Sequence, residues 1–134
     1  MPDTAVAPSQ TIAISHLDEA DFKVAGLRAY SAYRDLGVAA ATHGNVQAHV
    51  IRMIEPFRPE LSERHRHDVQ FQMVYVLKGW FSTEFEGGGV HVFRAGSSWT
   101  QPPGIRHTVR GWSDDCELLE IIMPAEFETV VEPE

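Results

Sequence analysis

The sequence predicts a single all-β domain, an antiparallel sandwich or barrel, on three observations. Its 134 residues, 43% of them hydrophobic, suit one compact core. Seven short runs after Asn45 are rich in β-branched and aromatic residues, and turn signals separate nearly all of them.

Residues 1–15 carry two prolines and no sustained apolar period, which reads as an arm that docks late. From Phe22 to Tyr33 the apolar positions Phe22, Val24, Leu27, Tyr30 and Tyr33 fit a strand better than a helix, given the two tyrosines and the absence of capping signals. Asp35 to Gly44 reads as a short connecting helix, with Asp35 as N-cap and Gly44 as the left-handed stop. The expected strands are then 46–54, 70–77, 80–85, 90–93, 97–101, 106–109 and 117–123. Between them lie Glu55-Pro56 with Pro59, Lys78-Gly79, Glu86-Gly-Gly-Gly89, Ala95-Gly96, Pro102-Pro103-Gly104 and Gly111 to Asp115. The end of the chain is acidic and polar and reads as a solvated tail. The expected division is an extension over 1–45, the barrel over 46–124 and the tail over 125–134.

Eleven basic residues against nineteen acidic ones give a formal charge of -8, the wrong sign for a nucleic-acid or anionic-membrane surface. No run approaches the ~20 apolar residues of a membrane helix, and the N-terminal residues lack the basic and apolar regions of a signal peptide. The expectation is a cytoplasmic protein. A single cysteine, Cys116, excludes an intrachain disulfide and a cysteine-based zinc cluster. It lies in an apolar run and reads as a small buried residue rather than a nucleophile.

The histidines are organised. His65 and His67 stand two apart, so in an extended segment both imidazoles face one way and can share a metal ion. A second segment, Gly96 to His107, passes two turns and delivers a third histidine at the start of a return strand.

These two segments resemble the signature motifs of the cupin superfamily. The first family motif is Gly, five residues, His-x-His, three or four residues, Glu, six residues, Gly; here His65, His67, Gln72 and Gly79 match it, with Gln72 in the glutamate's place. The second is Gly, five residues, Pro-x-Gly, two residues, His, three residues, Asn; Gly96, Pro102, Gly104 and His107 match. Pro59 replaces the first motif's opening glycine and Gly111 the second motif's closing asparagine, both outside the ligand set. The resemblance implies a jelly-roll barrel and one divalent ion (Zn, Fe, Mn or Ni) held by His65, His67, Gln72 and His107.

A carboxamide is a neutral and weaker donor than a carboxylate, so such an ion keeps its full charge and acts strongly on carboxylates, enols and hydroxy-carbonyl groups. Resemblance extends to isomerases, lyases and decarboxylases that need no redox change, including cupins with three histidines and a glutamine that ketonise unsaturated uronates. It also extends to oxygen-dependent dioxygenases. The charge argument favours the non-redox reading; a dioxygenase and a non-catalytic small-molecule binding barrel are the alternatives.

Barrel alternation names further pocket candidates. With Gln72 inward, Val74 and Val76 follow; with His107 inward, Val109 follows. His49 is a candidate for contact with the site or its ligand. Glu117 and Glu120 are the carboxylates nearest the barrel interior, and one of them, with Glu120 placed among the pocket residues, could take the place of a missing base. Arg66 and Arg106 point away from the metal by the same alternation. His16, His43 and His91 read as surface residues. Exposed edge strands and the Tyr30–Tyr33 segment suit a homodimer.

Overall fold

The structure, a computed structural model, describes residues 9–24 and 29–132. The first eight residues of the arm, Leu27 and the last two residues lie outside it. Two antiparallel sheets face each other. The first has the order β1 (Lys23–Val24), β2 (Ser31–Asp35), β3 (Gln47–Met53), β10 (Glu117–Met123), β5 (Phe71–Lys78), β8 (Ser98–Thr100). The second runs β11 (Thr129–Val131), β4 (His65–His67), β9 (His107–Trp112), β6 (Trp80–Phe85), β7 (Gly89–Arg94). All seven strands expected after Asn45 are present within a few residues of their predicted bounds.

Alternation decides what fills the space between the sheets. Ile51, Met53, Val74, Val76 and Leu118 of the first sheet meet Phe81 and Trp112 of the second, with Cys116 between. Trp112 is the centre of the aromatic packing. It stacks on Tyr30 at 5.3 Å and on Phe81 at 6.4 Å, receives the edge of Phe57 at 4.8 Å, and donates its indole N–H to the Glu55 carbonyl at 2.8 Å.

Strict alternation from His107 would turn Trp112 outward. The structure corrects this with a bulge: Thr83 pairs with Val109 and Ser82 with Gly111, leaving Arg110 as the extra residue. His107 and Val109 therefore face inward, and so does Trp112 beyond the bulge, while Arg110 reaches outward to Glu84 at 2.7 Å. Gly111 gives the Trp80 ring room, since a Cβ there would stand 3.1 Å from it and the ring would have to shift by a few tenths of an ångström.

Two expectations change. Asp35 is the last residue of β2 rather than the helix cap; its Oδ1 accepts the Gly37 N–H at 2.7 Å, and the helix, α1, is the single turn Val38–Ala41 capped by Gly37. Ladder pairing with His49 holds Asp35 in the sheet. Gly44 does end the turn with φ +83°. The tail is not wholly solvated, because Thr129–Val131 forms β11 on the edge of β4. Tyr33 of the tyrosine segment lies in β2, which pairs with β3.

Gly79, between β5 and β6, has φ +68°, and a Cβ there would sit 2.0 Å from Ser113 Oγ and 2.5 Å from Asp115 Oδ1. Gly79→Ala is therefore expected to cost about 1–3 kcal/mol from the left-handed conformation, with the close approach adding to it. A urea titration checks this: the midpoint falls while the slope stays constant.

Candidate metal centre

Strand β4 presents two histidines on one face because side chains two apart in an extended chain point the same way. His65 lies opposite His107 of β9, and His67 opposite Thr129 of β11. The ring centroids are 4.1 Å apart for His65 and His107, 4.8 Å for His65 and His67, and 5.0 Å for His67 and His107. One nitrogen from each lies within 4.8 Å of the other two, so the three can hold one metal ion.

The outer nitrogens are tied down. His65 Nδ1 is 2.7 Å from the Glu63 carbonyl, His107 Nδ1 is 3.1 Å from the Ile105 carbonyl, and His67 Nδ1 is 2.9 Å from Thr129 Oγ1. A carbonyl can only accept, so His65 carries its proton on Nδ1 and keeps the Nε2 lone pair for a ligand role; His107 does the same where its Nδ1 donates to Ile105 rather than accepting from the Gln101 amide. Thr129 orients His67 from β11, a partner the tail reading missed; its signal was the β-branched run Thr129-Val-Val.

Gln101 is a second residue that sequence reasoning passed over. It is buried and clusters with the histidines: Oε1 accepts from the Trp99 indole at 2.9 Å, which leaves Nε2 facing His107 Nδ1 at 3.4 Å. Its position two residues after Trp99 on an inward face was the available sign.

On the opposite sheet, Gln72 is 4% exposed. Its Nε2 donates to Glu120 Oε2 at 2.7 Å, and Glu120 Oε1 lies 2.8 Å from His49 Nε2, whose ring rests against Tyr33 at 5.2 Å. Gln72 Oε1 is buried and has no hydrogen-bond partner. An orphaned carbonyl oxygen costs about 1–3 kcal/mol, and a bound cation would remove that cost, so the donors present fit a divalent ion. Burial raises the pKa of the Glu120 carboxyl, but His49, Gln72 and the nearby His67 outweigh it and hold the group below the usual carboxylate value. Glu120, named from the sequence among the pocket residues, stands one hydrogen bond behind Gln72. Of the two glutamates considered, Glu117 is on the other face, paired with Arg52 at 2.9 Å.

Val74 and Val76 share the inward face with Gln72 and are sealed in the core, at 4% and 0% exposure. Val109 packs against the same cluster. Arg66 and Arg106 point outward, to Glu132 at 2.8 Å and Glu86 at 3.2 Å. His16, His43 and His91 are exposed. Burial, reinforced by Asp115 and Glu117, pushes the Cys116 thiol up to about 12. Iodoacetamide at pH 8 is thus expected to leave Cys116 unmodified in the folded protein and to label it fully in denaturant, as mass spectrometry would show.

A small antiparallel sandwich that gathers histidines from two strands of one sheet is a jelly-roll fold with a candidate metal site. The chain belongs to the cupin family: the family model for the cupin domain (Cupin_2) matches residues 54–122, just over half of the sequence. Among solved structures it is similar to the polyketide cyclase RemF from Streptomyces resistomycificus, with 17% identity and a TM-score of 0.66 over 88% of this chain and 84% of that one. KdgF from Halomonas sp. shares 15% identity with a TM-score of 0.63, over 84% and 96% of the two chains. A cupin-superfamily sugar phosphate isomerase from Silicibacter pomeroyi shares 15% with a TM-score of 0.66, over 90% and 83%. Likeness at these identities establishes the fold alone. No curated protein sequence matches the chain. Among the described residues no helix is long and apolar enough to cross a membrane.

Proposed function

We propose that this cupin is a small metalloenzyme in which His65, His67, His107 and Gln72 hold one divalent ion, and that it acts without redox change on a small carboxylate bearing an adjacent carbonyl or enol. The observation that carries the reading is the set of three converging imidazoles, each tied through Nδ1 to a fixed partner. Such preorganisation of the outer shell is what a ligand set needs and a merely structural histidine cluster does not.

The ion would supply Lewis-acid polarisation of a carbonyl, enol or carboxylate oxygen. The residues of the chain provide the rest. Three neutral imidazoles and one amide bring no charge to the ion, which favours an anionic ligand. Glu120 offsets that charge only from behind Gln72. Val74, Val76 and Val109, on the same inward faces as Gln72 and His107, supply apolar core beside the site.

The test is a panel of unsaturated uronates and keto acids offered to metal-loaded protein, with absorbance of the conjugated system and dissolved oxygen followed together. Loss of the chromophore without oxygen uptake is expected, and chelation should abolish it. Oxygen consumption in step with turnover would overturn the non-redox reading in favour of a dioxygenase. Ligand binding that survives metal removal, without turnover, would leave a binding barrel.

A further inference from the structure

The carboxylate of Glu120 lies on the inner face of the first sheet, and it is held from two sides. On β10 it stands directly opposite His49 of β3 and one diagonal step from Gln72 of β5. Its side chain is 15% exposed, as is that of His49. Each oxygen has one partner, His49 Nε2 at 2.8 Å and Gln72 Nε2 at 2.7 Å.

A carboxylate is acceptor-only, so the Gln72 amide has no choice about which end faces Glu120. The NH2 must, and Oε1 is thereby committed to the other side, where it is buried and without a partner. A glutamate at position 72 would instead set two carboxylates against each other with no proton donor between them. The presence of an amide where the family motif has an acid is thus explained by the neighbour on β10.

We propose that Glu120 is the positioning residue of the fourth ligand: braced by His49, it locks the Gln72 carboxamide with its oxygen presented for metal binding. The proposal rests on the metal-centre reading above. Glu120 acts through Gln72 and touches neither ion nor substrate. The amide also transmits negative charge, because a hydrogen bond from Nε2 to a carboxylate makes Oε1 a better donor than an isolated carboxamide.

A double-mutant cycle read by cobalt(II) binding tests this, with chelator competition giving affinity and the visible absorption bands reporting the ligand set. Metal-free melting curves serve as the folding control. Glu120→Ala is expected to weaken cobalt(II) binding about 10- to 100-fold and to change the spectrum in the same way as Gln72→Ala. The double variant should be no weaker than Gln72→Ala alone, because Glu120 has nothing left to position. Glu120→Gln keeps an acceptor but loses the charge-assisted bond, so its loss is smaller, about fivefold, and should likewise vanish beside Gln72→Ala. If Glu120→Ala does not fold, this second cycle decides.

Additive losses, or an unchanged spectrum in the Glu120 variants, would overturn the positioning role while leaving the metal centre intact. A wild-type protein that binds no cobalt(II), or a His67→Ala variant that binds it equally well, would overturn the metal-centre reading itself, and the two failures are distinguishable in one data set.

Discussion

Replacing His67 by alanine is expected to abolish stoichiometric metal binding. His67 is the most constrained of the three imidazoles: it is 7% exposed, contacts both other histidines, receives the edge of Phe127 at 5.5 Å and is oriented by Thr129. Its removal leaves His65 and His107 as a two-nitrogen set with a neutral amide, too few donors for a stable site. Metal at 100 times its dissociation constant stabilises a folded protein by about 2.7 kcal/mol, so the variant should forgo that gain and melt roughly 10 °C lower in metal-containing buffer. Wild type treated with a chelator should melt near the variant, and the variant itself should be indifferent to the chelator. Equal melting temperatures for both proteins with and without metal would contradict the assignment.

Trp112→Ala is expected to destabilise the fold by about 3–5 kcal/mol, the range for deleting a buried tryptophan. Trp112 is 5% exposed and packed by Tyr30, Phe57 and Phe81 in the cluster that also holds Ile51, Met53 and Leu118 of the facing sheet, so no neighbour can collapse into the space without unpacking another. The variant also leaves the Glu55 carbonyl without its indole donor. Trp112→Phe should recover much of the loss, because it restores ring contact but not the hydrogen bond. Denaturant unfolding measures both. A cost below about 1 kcal/mol for the alanine variant would mean that the aromatic cluster does not hold the sheets together.

Much of this architecture was legible in the sequence because its signals are local. The runs from Gln47 to Met123 carry β-branched residues between glycine and proline turns, and the two histidine motifs fix their own spacing. What escaped was decided by partners rather than by local pattern. Strand β11 forms because β4 offers an edge to Thr129–Val131, and that short β-branched run in an acidic end of the chain does not say by itself what it pairs with. The inward turn of Trp112 follows from a single extra residue, Arg110, which period-two counting cannot see. Glu117 and Glu120, three apart, fall on opposite faces of β10, and only the pairing with β3, Glu117 beside Arg52 and Glu120 beside His49, says which one faces inward. Asp35 carried a cap signal that the structure uses for a turn, since ladder pairing with His49 claimed its backbone.

Site residues divide along the same line. His65, His67 and His107 were readable because each sits at a fixed interval from a glycine or proline. Thr129, Gln101 and the Glu120–His49 pair come from other strands and enter only when the sheets assemble, as outer-shell partners do in general. Gln72 could be found by spacing, but the reason for an amide there lies on β10, 48 positions away.

The most direct test of the metal centre is X-ray absorption spectroscopy on protein purified without added metal, paired with elemental analysis. The account predicts about one divalent first-row ion per chain, with a first shell of three imidazole nitrogens and at least one further oxygen. A protein that stays metal-free after incubation with zinc, iron, manganese and nickel, or one whose bound ion shows no imidazole scattering, would contradict it.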